Sequence, residues 1–214
     1  MLKRITVPLL LVALGALSAN ALADCPTCTK AKLENGWCDK CKMGFFAGIE
    51  MTSKKLFEAL EGKPVANASE LKCPGCKAAY EKNGTCEHCK VQFADHCRYA
   101  SPAACCLAHG KLKNPAEMKC ETCKSYIGEH GWCEQCKQGI VGNYAFTDKE
   151  EYNKAAAAQE LIRKAVQAVK KCEGCAVAMV TDGTCECCKV SYKDGKLVSA
   201  TDKPTEKSAE KPKP

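Results

Sequence analysis

The chain has few aromatic residues. Phe, Trp and Tyr make up 6% of its 214 residues, and Trp occurs only twice. Large side chains contribute most of the apolar area that a core buries. We therefore expect no single large hydrophobic core, and we expect covalent or metal staples to stabilise the fold instead.

The sequence also lacks the residue patterns of common enzyme sites. It has no Ser/His/Asp set, no phosphate-binding loop and no open three-ligand metal site. No Cys-x-x-Cys pair is followed by His, which argues against covalently attached haem, and none has the βαβ context of a thioredoxin-type enzyme. We expect a non-catalytic protein.

Long apolar runs are absent beyond the N-terminus. A basic pair at residues 3–4 precedes an apolar run at 5–17, and Ala21-Leu22-Ala23 resembles a signal-peptidase site. We predict a signal peptide over residues 1–23 and an exported protein, periplasmic or secreted, with no stable membrane insertion after cleavage. The alternatives are an uncleaved anchor and a lipoprotein, although the Asp in Leu22-Ala23-Asp24-Cys25 fits a lipobox poorly.

The excess of basic residues does not indicate a nucleic-acid partner. Lys and Arg outnumber Asp and Glu by 32 to 25, but that comparison treats every Cys as neutral. A site of four thiolates around one divalent ion is negatively charged, and four such sites would reverse the sign of the net charge. We expect no nucleic acid among the partners.

Cysteine is abundant, and most of it follows one formula. Sixteen of the 20 Cys residues form four quartets of the pattern C-x2-C-x9-C-x2-C. A Gly stands two residues before each third Cys, after Asn, His or Asp, and we expect a tight hairpin turn there. A Lys follows each fourth Cys, where its charge could offset the thiolates. The quartets are Cys25/Cys28/Cys38/Cys41, Cys73/Cys76/Cys86/Cys89, Cys120/Cys123/Cys133/Cys136 and Cys172/Cys175/Cys185/Cys188.

The quartets alternate between two kinds. The first and third contain Gly-Trp-Cys, whereas the second and fourth contain Gly-Thr-Cys. This order indicates a duplicated unit of two modules, each of which cannot bury a core alone.

Four thiolates arranged as two close pairs suit a tetrahedral ion without redox chemistry. The two-residue gap lets both sulfurs of a pair reach one metal, as in a closed structural zinc site. We predict about four Zn(II) ions per chain. Iron in a rubredoxin-like site is the disfavoured alternative, because rubredoxins separate their pairs more widely. Disulfides, which export favours, are the other alternative.

The quartets resemble short zinc ribbons of the double-zinc-ribbon type. Pro26 and Pro74 stand where such ribbons often carry Pro in the first knuckle, and the resemblance covers four stretches of 17 residues. It implies a structural or protein-contact module. The chain departs from the family where Gly often follows a knuckle: those positions are Thr29, Lys77, Lys124 and Ala176, and then Lys42, Lys90, Lys137 and Lys189.

We therefore predict a small metal-stabilised α+β fold, with four short zinc-ribbon β-hairpins joined by helices in a duplicated two-ribbon unit. The predicted segments are GWC-type ribbons at 24–47 and 119–146, GTC-type ribbons at 72–95 and 172–199, a helical spacer at 48–71, a Cys/His-rich helical linker at 96–118, a helix at 147–171 and a disordered tail at 200–214.

Helix signals mark three of these connections. Thr52 or Ser53 is expected to cap the spacer helix, and Ser101 to cap the linker helix. Thr147 and Glu150 form a predicted capping box for the helix at 147–171. Its apolar stripe, interrupted by one polar residue, comprises Tyr152, Ala155, Gln159, Ile162, Val166 and Val169.

The remaining cysteines allow two interpretations. They could form disulfides, which we favour, or a fifth, partly open site for a soft metal ion. The residues concerned are His96, Cys97, Cys105, Cys106, His109 and Cys187.

Three functions fit the sequence. The first is an exported zinc-binding repeat protein that acts as a scaffold for an unknown protein partner. The second is buffering or trafficking of zinc or another thiophilic ion, and the third is thiol/disulfide redox chemistry.

Overall fold

The computed structural model describes residues 25–200. The predicted signal peptide and the predicted tail beyond Ala200 lie outside these residues. In chain order the elements are α1 Pro26–Glu34, β1 Trp37–Cys38, β2 Met43–Phe46, β3 Ile49–Met51, α2 Lys54–Leu60, β4 Lys63–Pro64, a 3-10 helix at Ala68–Glu70, α3 Pro74–Glu81, β5 Thr85–Cys86, β6 Val91–Ala94, β7 Cys97–Tyr99, α4 Pro102–Ala108, β8 Lys111–Leu112, a 3-10 helix at Pro115–Glu117, α5 Glu121–Ser125, β9 His130–Cys133, β10 Gln138–Val141, β11 Tyr144–Phe146, α6 Lys149–Ala168, α7 Glu173–Thr181, β12 Thr184–Cys185, β13 Val190–Lys193 and β14 Lys196–Ala200.

Each Cys quartet lies in the same supersecondary unit, a short helix followed by a three-stranded antiparallel meander. We call these units modules 1 to 4; they begin with α1, α3, α5 and α7 and end with β3, β7, β11 and β14. The sheets of modules 2 and 3 gain a fourth strand, β4 or β8, at the outer edge. Sheet size therefore does not follow the alternation of GWC and GTC. Modules 1 and 2 also run one strand beyond the ribbons predicted at 24–47 and 72–95.

The third Cys of every quartet has the same strand register. The residue before it and the Cys itself pair with the second strand of the meander, and the Cys-x-x-Cys-Lys segment forms the turn between the two strands. The Cα partners are Cys38↔Met43, Cys86↔Val91, Cys133↔Gln138 and Cys185↔Val190. The repeated formula therefore specifies one repeated backbone geometry.

The nine-residue gap is a helix in modules 1, 2 and 4, which corrects the predicted hairpin turn. Asn35, Asn83 and Asp182 have φ angles of 53°, 47° and 51° and stand at the helix ends, while His130 lies within β9. Pro26 pre-organises the first turn of α1, and the Gly36 N–H closes its end on Ala31 O at 2.8 Å. An Asn in the left-handed region can end a helix as well as turn a hairpin.

The actual tight turns lie between the second and third strands. In module 4 the turn is Asp194-Gly195, with φ angles of 49° and 70°. In module 2 it is Asp95-His96, and both residues again have positive φ. Such pairs match the twist of the flanking strands. Asp194-Gly195 is a readable turn dipeptide that our sequence reasoning passed over.

Three connecting helices follow modules 1, 2 and 3, and their starts are set by polar caps. Ser53 Oγ accepts from Leu56 N at 3.0 Å, and Ser101 Oγ accepts from Ala104 N at 3.2 Å, as predicted. The third start differs by one residue, because Asp148 rather than Thr147 caps α6 by accepting from Glu151 N at 2.8 Å. Asp is the stronger cap, and it places two acidic residues in the first turn.

The expectation of no large core is wrong. Helices α2, α4, α6 and α7 pack together and bury one continuous apolar cluster that also takes strand residues from modules 1, 2 and 3. Its centre includes Leu56, Leu107 and Ile162, each fully buried. Small residues such as Ala104 and Ala155 let the helices approach closely, so a core forms with few aromatic residues. Smaller separate clusters surround the cysteines of modules 1, 2 and 3.

No helix within residues 25–200 is both long enough and apolar enough to cross a membrane.

Candidate metal centres

The structure gathers the cysteines into four clusters, each of which could hold a metal ion. Within each cluster the four Sγ atoms all lie within 4.8 Å of one another. The clusters are Cys25/Cys28/Cys38/Cys41, Cys73/Cys76/Cys86/Cys89, Cys120/Cys123/Cys133/Cys136 and Cys172/Cys185/Cys187/Cys188. The first three match the predicted quartets. The fourth contains Cys187, which our repeat formula left out.

The helix start and the first hairpin place these sulfurs. The first Cys of each quartet is the N-cap residue of its helix, and the second lies within the first turn. The third Cys lies in the first strand, and the fourth follows in the turn after it. Two Cys-x-x-Cys pairs are thereby held face to face by a helix N-terminus and a β-turn.

The spacing of the sulfurs fits a tetrahedral four-thiolate site. Cys25 and Cys38 have their Sγ atoms 3.9 Å apart, and the equivalent pairs in modules 2 and 3 are 3.8 Å apart. A metal–sulfur bond of about 2.3 Å with tetrahedral angles requires about 3.8 Å between sulfurs. A disulfide needs about 2.0 Å. All twenty cysteines are free thiols in the structure.

The helix N-terminus lowers the pKa of the first thiol in each cluster. The backbone N–H of Cys28 is the main cause that lowers the pKa of Cys25 from 9.0 to about 6. In the other modules the backbone N–H of the second Cys acts in the same way, and it lowers the pKa of Cys73 and Cys120 to about 7 and that of Cys172 to about 6. Burial raises the pKa of the second Cys, as at Cys28. Without metal, the first Cys of each cluster therefore ionises more readily than a free thiol, and in module 4 the backbone N–H of Cys188 lowers the pKa of Cys185 as well.

The Lys after each fourth Cys has a backbone role. Lys42, Lys90, Lys137 and Lys189 all lie in the left-handed region, with φ between 52° and 54°. Their ammonium groups form ion pairs with an acidic residue that follows the third Cys, as in Lys90–Glu87 at 3.2 Å. These pairs are exposed and contribute little stability. The acidic residue is present in all four quartets, a regularity that our reading of the sequence missed: Asp39, Glu87, Glu134 and Glu186.

The clusters differ in exposure. In module 1, three of the four cysteines are buried, whereas in the fourth cluster only Cys185 is buried and Cys187 and Cys188 are exposed. In module 3, the Gln138 amide donates to Cys123 Sγ at 3.4 Å. A hydrogen bond of this kind orients a thiolate ligand. The fourth cluster is the most accessible to solvent.

Cys175 is the second Cys of the last predicted quartet, and it lies beside the cluster rather than within it. Its thiol interacts with those of Cys188, Cys185 and Cys172, and burial raises its pKa. Cys187 Sγ lies 3.3 Å from Cys172 Sγ and 3.5 Å from Cys188 Sγ. Five thiols therefore meet in module 4.

The other residues of the proposed fifth site do not converge. Cys105 is buried in the main core, where desolvation raises its pKa to about 12, and its Sγ lies 3.9 Å from His109 Nε2. Cys97 lies in β7, and His96 Nδ1 lies 2.9 Å from the Tyr80 hydroxyl instead. Among residues 25–200, none of these side chains joins a metal-competent group. Cys105 and Cys106 are half or fully buried thiols of the α4 packing surface, and the disulfides we favoured are not formed either.

Comparisons with protein-family models, with curated proteins and with solved structures find no match to this chain. The fold and the sites define the class of the protein: it is a cysteine-rich α+β protein with four four-thiol clusters that could each hold a metal ion.

Proposed function

We propose that this chain is a zinc-binding repeat protein in which each of the four modules holds one structural zinc ion. The observation that carries the proposal is the sulfur spacing of 3.8–3.9 Å in modules 1 to 3, which fits tetrahedral coordination. Zinc is favoured over iron because the helix and the turn hold four thiolates in a closed site, which is typical of structural zinc without redox chemistry. The two kinds of module are proposed to be zinc ribbons in a duplicated pair.

We further propose that the protein is exported, on the strength of residues 1–23, and serves as a non-catalytic scaffold. The main core supports this role, since α2, α4, α6 and α7 join the modules through buried contacts. Modules 1 and 3 meet directly: the Asn143 amide donates to Leu33 O at 3.2 Å. Beside this contact lies a cavity of about 330 Å³ with Leu33, Phe45, Pro115 and Ile127 in its lining. An apolar side chain of a protein partner would fit there.

Metal analysis combined with thiol titration tests the zinc proposal. Protein isolated from its native compartment is expected to contain about four zinc ions per chain and no disulfides. Bound iron would correct the metal, and metal-free protein with disulfides would refute the proposal. Reversible oxidation of metal-free thiols would instead support the redox function.

Metal buffering or trafficking is the second candidate, because one of the four clusters is exposed and holds an extra thiol. In a scaffold with structural zinc, all four ions should exchange slowly and at similar rates. A handling protein should show at least one ion that is bound more weakly and exchanges faster. Competition titration with a chelator of known affinity separates the two.

A further inference from the structure

Module 4 contains one thiol more than a tetrahedral ion can use. Cys187 Sγ lies 3.3 Å from Cys172, 3.5 Å from Cys188 and 3.9 Å from Cys185. Cys175 interacts with the same three thiols. The set Cys172/Cys185/Cys187/Cys188 has its sulfurs within 4.8 Å of one another, and replacing Cys187 by Cys175 gives a second candidate set that shares the other three thiols.

The two alternative ligands differ in position and exposure. Cys175 lies in the first turn of α7 and is half-buried, whereas Cys187 lies in the exposed turn between β12 and β13. The equivalent turn position is Lys40 in module 1, His88 in module 2 and Gln135 in module 3. The second sulfur is thus particular to the most exposed of the four clusters.

A closed four-thiolate site normally releases its ion slowly, because all four metal–sulfur bonds must be replaced before the ion can leave. Tetrahedral zinc can accept a fifth ligand transiently. A thiol already held within the cluster acts at a high effective concentration compared with a thiol from solution. An internal spare ligand therefore provides a route for exchange that modules 1 to 3 do not share.

We propose that Cys187 and Cys175 alternate as the fourth ligand of the module 4 centre, and that this centre is where the protein exchanges zinc with thiol or chelating acceptors. On each swap the incoming thiol gives up its proton and the departing thiolate takes one up, so the charge of the centre is unchanged. The proposal rests on the zinc binding proposed above.

The experiment follows zinc release from the reduced, zinc-loaded full chain into an excess of a chromophoric chelator. One zinc of four should leave about tenfold faster than the rest, which corresponds to a barrier lower by about 1.4 kcal/mol. Cys187→Ser should remove this fast phase while four zinc ions remain bound. In module 2, His88→Cys places a second sulfur at the equivalent position and should create a second fast phase.

Ligand replacement is tested separately by deleting the second Cys of a quartet. Cys175→Ser should still bind four zinc ions, because Cys187 completes the site, whereas the matched Cys123→Ser in module 3, where Gln135 stands at the equivalent turn position, should retain only three tightly bound ions. Alkylation mapped by mass spectrometry should show partial protection of both Cys175 and Cys187 in the zinc-loaded wild type.

The outcomes distinguish the two proposals. A chain that binds no zinc refutes the proposed function. Four bound ions with one uniform release rate, or a fast phase that persists in Cys187→Ser, overturns the spare-ligand proposal alone. Full alkylation of Cys187 with complete protection of Cys175 overturns it as well.

Discussion

The rings of Trp132 and Tyr152 lie 5.5 Å apart, centroid to centroid, and join module 3 to the helix that follows it. Trp37 and Phe57 make the equivalent contact in module 1, at 5.6 Å. In both modules a Gly stands opposite the Trp in the neighbouring strand, Gly139 or Gly44. The GWC modules thus use an aromatic pair over a Gly to dock on a helix, whereas the GTC modules have Thr in place of Trp.

Gly139→Ala should destabilise the protein, because a Cβ atom there would overlap the Tyr152 ring. Overpacking of this kind costs about 1–3 kcal/mol. Urea unfolding of the zinc-loaded protein measures the change. Gly84→Ala is the control, since its Cβ would meet only Ala79 O, at 3.9 Å. Equal stability of the two variants would contradict the docking role of the ring pair.

Gln159→Leu should cost about 1–3 kcal/mol of unfolding free energy, because it removes the side-chain donor to the carbonyl of Ala47. Gln159 is fully buried; its Nε2 donates to Ala47 O at 2.7 Å, and its Oε1 lies 3.1 Å from His130 Nδ1. It thereby joins α6 to modules 1 and 3. The exposed Gln167 on the same helix supplies the control, and Gln167→Leu should have little effect on the thermal midpoint.

Zinc binding to modules 1 to 3 at pH 8 should release fewer than four protons per ion, because the lowered pKa of the first thiol in each cluster leaves that thiol mostly ionised before the metal binds. The pKa of Cys25 is about 6, and those of Cys73 and Cys120 are about 7. Calorimetric titration in buffers of different ionisation enthalpy counts the protons. Release of four protons per ion at pH 8 would show that the helix N-termini do not ionise these thiols.

The same shift predicts how the stability of the metal-free protein depends on pH. The pKa of Cys25 is lowered from 9.0 to about 6 on folding, so its stabilising contribution is present above pH 9 and is lost as the pH falls through 6. Stability of the metal-free chain should therefore rise between pH 6 and pH 9. Cys25→Ser, measured by denaturant unfolding across this range, should reduce the slope.

Chelation should unfold the modules before the helical core. The cysteines of modules 1 to 3 lie in small clusters separate from the main core, so the proposed thiol–metal bonds would replace most of the burial that these modules lack. Hydrogen exchange should accelerate in α1 and β1 after zinc removal while the interior of α6 around Ile162 stays protected. Simultaneous exchange of both regions would indicate that the core itself depends on the metal.

Lys137→Val should destabilise module 3, because left-handed backbone costs a non-glycine residue about 1–2 kcal/mol and a β-branched side chain tolerates it poorly. Lys137→Gly should retain stability and zinc affinity. The neighbouring exposed Gln135→Val serves as the control. Weaker zinc binding in Lys137→Gly would show that the charge, rather than the backbone, matters at this position.

The sequence alone determined the repeat and most of the cysteines in its clusters. Uniform spacing of sixteen cysteines is a strictly local property, because a fixed number of residues between thiols limits which backbone can bring them together. It identified all four cysteines of the metal-competent clusters in modules 1 to 3. Caps such as Ser53 and Ser101 were equally readable, because each contacts a backbone N–H three residues away.

Tertiary structure decided what spacing could not. Asn35-Gly36 can end a helix or turn a hairpin, and only the packing of α1 against its sheet selects the helix. Gln159 interrupts an apolar stripe, and its role depends on the carbonyl of Ala47, which is 112 residues away in the chain. Cys187 lies outside the formula, yet the turn after β12 brings it beside Cys172. The core forms because small residues that are far apart in the sequence pack closely in space, and amino-acid composition carries no information about such contacts.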